Sequence, residues 1–67
     1  MTLTINGEAR EFDATEPTLT ALLSDLGMAG KPVVVELNQE PILPGAHETT
    51  RVSDGDRIEI VTIAAGG

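Results

Sequence analysis

One stretch of this chain carries the spacing of an amphipathic helix, and that restriction decides what the rest can do. Leu19, Leu22, Leu23 and Leu26 stand at i, i+3, i+4 and i+7, which makes a single apolar stripe. Thr18 is the expected N-cap, with Pro17 leading the chain in. Gly27 is expected to take the left-handed conformation that ends the helix. Elsewhere apolar and polar residues alternate, which is the period of a half-buried strand. One striped helix and the inward faces of several strands have to cover each other, so the expected fold is α+β in two layers.

The strands can be placed from their turns. Leu3 and Ile5 alternate with Thr2 and Thr4, and Asn6-Gly7 suits a type I′ hairpin turn because both residues tolerate positive φ. Glu8 to Phe12 is then the second strand, with Phe12 inward and the Arg10 stem lying along the sheet. Val33, Val35 and Leu37 share one face of a third strand, and Val34 and Glu36 the other. Asn38-Gln39 begins a turn, and Glu40 to Leu43 return as a short strand that Pro41 confines to an edge. Arg51-Val52 reads as a brief strand and Ser53-Asp54-Gly55-Asp56 as a tight turn. Asp54 and Asp56 bring a calcium loop to mind, but the run is too short and lacks the distal glutamate. In the last strand Ile58 and Ile60 point one way, and Glu59, Val61 and Ile63 the other.

The expected core is Leu3, Ile5, Phe12, the four leucines of the helix, Val33, Val35, Leu37, Val52, Ile58 and Ile60. Thr2–Ile5 and Arg57–Ile63 alternate most regularly and form the natural central pair. A right-handed crossover through the helix lets them run parallel. The chain then leaves the sheet from its middle and not from an edge.

Composition narrows the function classes. A chain of about this length buries only about 60% of the surface it exposes when unfolded, so one domain fits and a second does not. The chain has no cysteine and one histidine, which excludes a thiol nucleophile, a disulfide and the usual zinc sites. The net charge of −7 repels phosphate backbones and argues against nucleic acid. No apolar run has membrane-spanning length, and "MTLTINGEAR" has no basic and apolar leader pattern, so a cytoplasmic protein is expected. His47 stands alone in the polar loop "PGAHETT" and is expected to be a solvated loop histidine. Ser24 and Ser53 have no evident base, and no phosphate-binding glycine loop is present, so the chain is not expected to be an enzyme.

What remains is the ending. Ala64, Ala65, Gly66 and Gly67 carry nothing larger than a methyl group. Four extended residues reach about 13–14 Å, and the glycines permit close approach in a narrow cleft. Such an arm would deliver one group, the carboxylate of Gly67, which is a poor acyl donor until a partner activates it, most simply as an acyl-adenylate.

Strand, Asn-Gly, strand, one helix, then "VVVELNQEPI" and "DGDRIEIVTIAAGG" resemble the ubiquitin-like sulfur carriers, most closely the ThiS family of thiamin biosynthesis. The resemblance covers the whole chain. It implies a β-grasp fold, a mixed sheet of about five strands with one helix across one face. The domain would span 1–63, and 64–67 would be a flexible Gly-Gly tail. It also implies a mechanism in which an E1-like adenylating enzyme activates the Gly67 carboxylate with Mg-ATP. Sulfur from the persulfide of a cysteine desulfurase then displaces AMP, and the resulting thiocarboxylate supplies thiazole synthase. The carrier itself would need no cofactor and no metal. Residues Ala64 to Gly67 would enter the partner's active site. Val61 and Ile63 would form an apolar docking patch at the tail root, and Glu59, with Glu36 and Glu40, would meet basic residues of the partners. The small subunit of molybdopterin synthase, protein modifiers and carriers for cysteine synthesis share this fold and ending, and the short length and the "ELNQEP" block favour the thiamin carrier. A β-grasp binding module without sulfur chemistry is the alternative from another class, and loss of Gly67 would leave such a module unaffected.

Overall fold

The computed structural model describes residues 1–63, and the expectations placed on Ala64, Ala65, Gly66 and Gly67 lie outside the described residues. The elements follow in the order β1 (Thr2–Ile5), β2 (Glu8–Glu11), α1 (Leu19–Asp25), β3 (Val33–Leu37), β4 (Glu40–Ile42), a 3-10 turn (Pro44–Ala46) and β5 (Arg57–Thr62).

The helix begins and ends where its sequence signals stand. Thr18 is extended, and its Oγ1 accepts a 3.1 Å hydrogen bond from Ala21 N. That satisfies one of the free donors of the first turn. At the other end Gly27 takes φ +76°. Its N–H donates to Ser24 O at 3.0 Å and Met28 N–H donates to Leu23 O at 2.8 Å, which together make a Schellman motif. The buried helical residues are Leu19, Leu22 and Leu23, while Leu26 is half-buried at the rim.

The five strands form one sheet in the order β2-β1-β5-β3-β4. The centre is the parallel pair β1–β5, in the register Thr4↔Arg57 and Ile5↔Ile58, and every other pairing is antiparallel. The first hairpin turns through Asn6 at φ 50° and Gly7 at φ 84°, the left-handed pair a type I′ turn requires. The second turns through Asn38 and Gln39, both also at positive φ.

Leu3, Ile5, Val33, Val35, Ile58 and Ile60 of the sheet meet the three helical leucines and Val52 in one buried cluster. Three residues of the expected core, Phe12, Leu26 and Leu37, are only half-buried, and Met1, Met28 and Ile42 join them around the cluster. Phe12 falls just past the end of β2, where its ring lies 5.9 Å from the Arg10 guanidinium carbon. The return strand ends at Ile42, leaving Leu43 exposed, and Arg51 makes a single bridge to Thr18 in place of a strand.

Candidate functional site

Everything expected of the tail depends on how the last strand is held. β5 has a neighbour on each side, and the turn residues of both hairpins grip it. Asn6 Nδ2 donates to Ile60 O at 3.1 Å, and Asn6 Oδ1 accepts from Ile60 N at 2.7 Å. A side-chain amide thus continues the parallel ladder where the backbone of β1 has turned away. Asn38 acts likewise from the other flank. Its backbone N donates to Arg57 O at 2.8 Å, its Oδ1 accepts from Arg57 N at 2.9 Å, and its Nδ2 donates to Asp56 Oδ1 at 3.1 Å. Asparagine suits both places because it tolerates the left-handed region while offering a donor and an acceptor.

The aspartates of the preceding turn are occupied in the same manner. Asp54 Oδ1 accepts from Thr2 N at 2.7 Å, and Asp56 Oδ2 accepts from Ser53 N at 2.8 Å. These carboxylates shape the turn, in agreement with its sequence reading. Past the end of β5 the ladder continues by one bond, from Ile63 N to Pro32 O at 2.9 Å.

Glu59 and Val61 lie on the sheet face opposite the buried Ile58 and Ile60, as the alternation predicted, and Val61 is 62% exposed. Ile63 is 53% exposed. Sequence analysis did not foresee that Val34, itself 45% exposed, stands directly across from Val61, or that Glu36 stands across from Glu59. Glu40 lies apart from them, in β4 opposite Leu37.

Ile63 also lines an open groove of about 710 Å³ with Leu23, Met28, Lys31, Val33 and His47. Here one expectation is corrected. His47 is not a solvated loop histidine but is only 9% exposed, and its Nε2 lies 3.3 Å from Ile42 O. A carbonyl oxygen can only accept, so the proton of this bond sits on Nε2. The cause of the burial is the start of the helix. The first N–H groups of a helix have no partner within it. Here Leu19 N donates to Thr50 O at 2.9 Å and Thr20 N to His47 O at 3.2 Å. The loop is drawn across the helix end and takes the imidazole with it.

A mixed sheet with its first and last strands parallel at the centre, crossed on one face by a single helix, defines a β-grasp domain. The chain belongs to the ThiS family, the sulfur carriers of thiamine biosynthesis, whose family model matches residues 3–67. It is 35% identical over 63 residues to the sulfur carrier protein ThiS of Thermus thermophilus, covering 94% of this chain and 95% of that one. It is 43% identical over its full 67 residues to a thiazole synthase of Paramagnetospirillum magneticum, but spans only 20% of that longer protein. The crystal structure of the thiamine biosynthesis protein ThiS from Geobacter metallireducens superposes with a TM-score of 0.87 at 40% identity, with full coverage of both chains. Among the described residues no helix is long and apolar enough to cross a membrane.

Proposed function

We propose that the chain carries sulfur on the carboxylate of Gly67 and is a substrate of its partners rather than an enzyme. An E1-like adenylating enzyme supplies Mg-ATP. A Gly67 carboxylate oxygen attacks the α-phosphorus, pyrophosphate leaves, and the carbonyl becomes a mixed anhydride with AMP. The terminal sulfur of a cysteine desulfurase persulfide then attacks that carbonyl and expels AMP. Reduction of the acyl disulfide by a thiol releases the thiocarboxylate, which thiazole synthase takes up as sulfur donor. No side chain of this protein carries the sulfur, since it has no cysteine. ATP-dependent chemistry of this kind fits a cytoplasmic setting.

The observation that carries this reading is the central position of β5. The strand that leads to the Gly-Gly segment is braced from both sides, so the domain can be grasped by its faces while the arm enters a cleft. The Paramagnetospirillum magneticum thiazole synthase supports the last step, because a segment similar to this chain lies within a protein of that name. Val61, Ile63 and Glu59 are the docking residues in this reading, and Ala64, Ala65, Gly66 and Gly67 are the inserted arm.

The test is the intact mass of protein purified from cells grown without thiamin. A fraction heavier by the difference between sulfur and oxygen, mapped to Gly67 by fragmentation, is the expected result. A mass that stays unmodified after incubation with the adenylating enzyme, ATP and a persulfide donor refutes the carrier reading and favours a binding module.

A further inference from the structure

The β3–β5 ladder places Glu36 directly opposite Glu59, and Val34 directly opposite Val61, on the sheet face that the helix leaves open. The bonds Asn38 N to Arg57 O and Ile63 N to Pro32 O belong to the same ladder. Alternation between them makes both the Glu36–Glu59 and the Val34–Val61 positions hydrogen-bonded pairs. Side chains of directly opposed residues start about 4.5–5.5 Å apart at Cβ, and like charges so placed are destabilising. Glu36 has Pro41 on its other side, which offers no counter-charge. Arg57 shares this face two residues before Glu59, so one cation stands near two carboxylates. The middle of the open face therefore keeps an incompletely compensated acidic pair, with an exposed apolar pair next to it toward the tail.

We propose that Glu36 and Glu59 together receive one arginine or lysine side chain of the adenylating enzyme, while Val34 and Val61 seat an apolar side chain beside it. This deepens the carrier reading and rests on it. The adenylating enzyme is the matching occupant because it must hold a triphosphate, and the surface around such a site is positive. Geometry puts the pair at the edge of that region. Glu59 precedes Ile63 by four residues of strand, about 13 Å, and the arm beyond Ile63 reaches only about 13–14 Å. With the arm in the cleft, the open face meets the cleft's rim. The net charge of −7 steers the approach toward the same positive surface.

The experiment is ATP–pyrophosphate exchange by the adenylating enzyme with the carrier titrated, alongside thermal melting of each variant. Glu36→Gln and Glu59→Gln keep the shape, Glu59→Lys reverses the charge, and Glu8→Lys on β2 is the charge-matched control. Glu59→Lys is expected to melt above the wild type, because the repulsion becomes an attraction. It is expected to raise KM about tenfold or more while turnover at saturating carrier falls far less. Added salt should narrow the gap. Glu8→Lys should leave KM within about twofold. An unchanged KM in Glu59→Lys, with exchange intact, overturns the proposal and leaves the carrier reading standing. An equal rise in Glu8→Lys reduces the effect to net charge and overturns it too. Absence of exchange with the wild-type chain overturns the carrier reading itself.

Discussion

Replacing Asn6 separates two demands that one residue meets here. It holds φ 50° in the first hairpin turn, and its amide makes two bonds to the backbone of Ile60. Asn6→Gly keeps the turn conformation and deletes the bonds. At about 0.5–1.5 kcal/mol net for each, the loss is about 1–3 kcal/mol. Asn6→Ala deletes the same bonds and also forces a β-carbon into the left-handed region, which adds about 1–2 kcal/mol. A domain of this length has roughly 3–10 kcal/mol in total at the usual stability per residue, so the alanine variant approaches unfolding. Far-UV circular dichroism in urea is the suitable assay, because the chain has neither tryptophan nor tyrosine. The midpoints should fall in the order wild type, Asn6→Gly, Asn6→Ala, with the m-value unchanged. Hydrogen exchange at the Ile60 amide should accelerate in both variants. The reasoning fails if Asn6→Gly lies within about 0.5 kcal/mol of wild type, or if alanine is no worse than glycine.

Two further predictions follow from the surface and from the helix end. Val61→Asp should leave stability within about 0.5 kcal/mol, since the side chain is largely exposed. It should nevertheless weaken adenylation in the exchange assay, and unaltered activity would remove Val61 from the docking surface. Gly27→Ala should destabilise by about 1–2 kcal/mol in urea titration. The new methyl would meet nothing within 4 Å, so the positive φ is the sole source of that loss and a neutral result would contradict it.

What could be read from the sequence was whatever short-range chemistry determines. The leucine stripe, the Thr18 cap, Gly27 and the Asn6-Gly7 turn are local, and each took the expected conformation. The parallel β1–β5 pairing followed because one helix and one crossover leave few arrangements. The burial of His47 was not legible, because it depends on carbonyls of a loop satisfying helix donors more than twenty residues earlier in the chain. Nothing in "PGAHETT" records that demand. The bonds from Asn38 to Arg57 and Asp56 were hidden for a related reason, since a turn asparagine reads as a turn asparagine until its neighbour in the sheet is known. The facing of Glu36 with Glu59 required the register. Alternation says which face a residue takes, but not which residue stands opposite.

The two-sided bracing of β5 also has a mechanical meaning. A pull on Ile63 along the strand axis loads the bonds to β1 and β3 together, in shear, with the Asn6 and Asn38 amides as additional rivets. An outer strand pulled from its end would peel away one bond at a time. Force applied where the arm begins is therefore spread across the whole sheet, and a partner can draw on the arm, and later release it, without unravelling the domain that presents it.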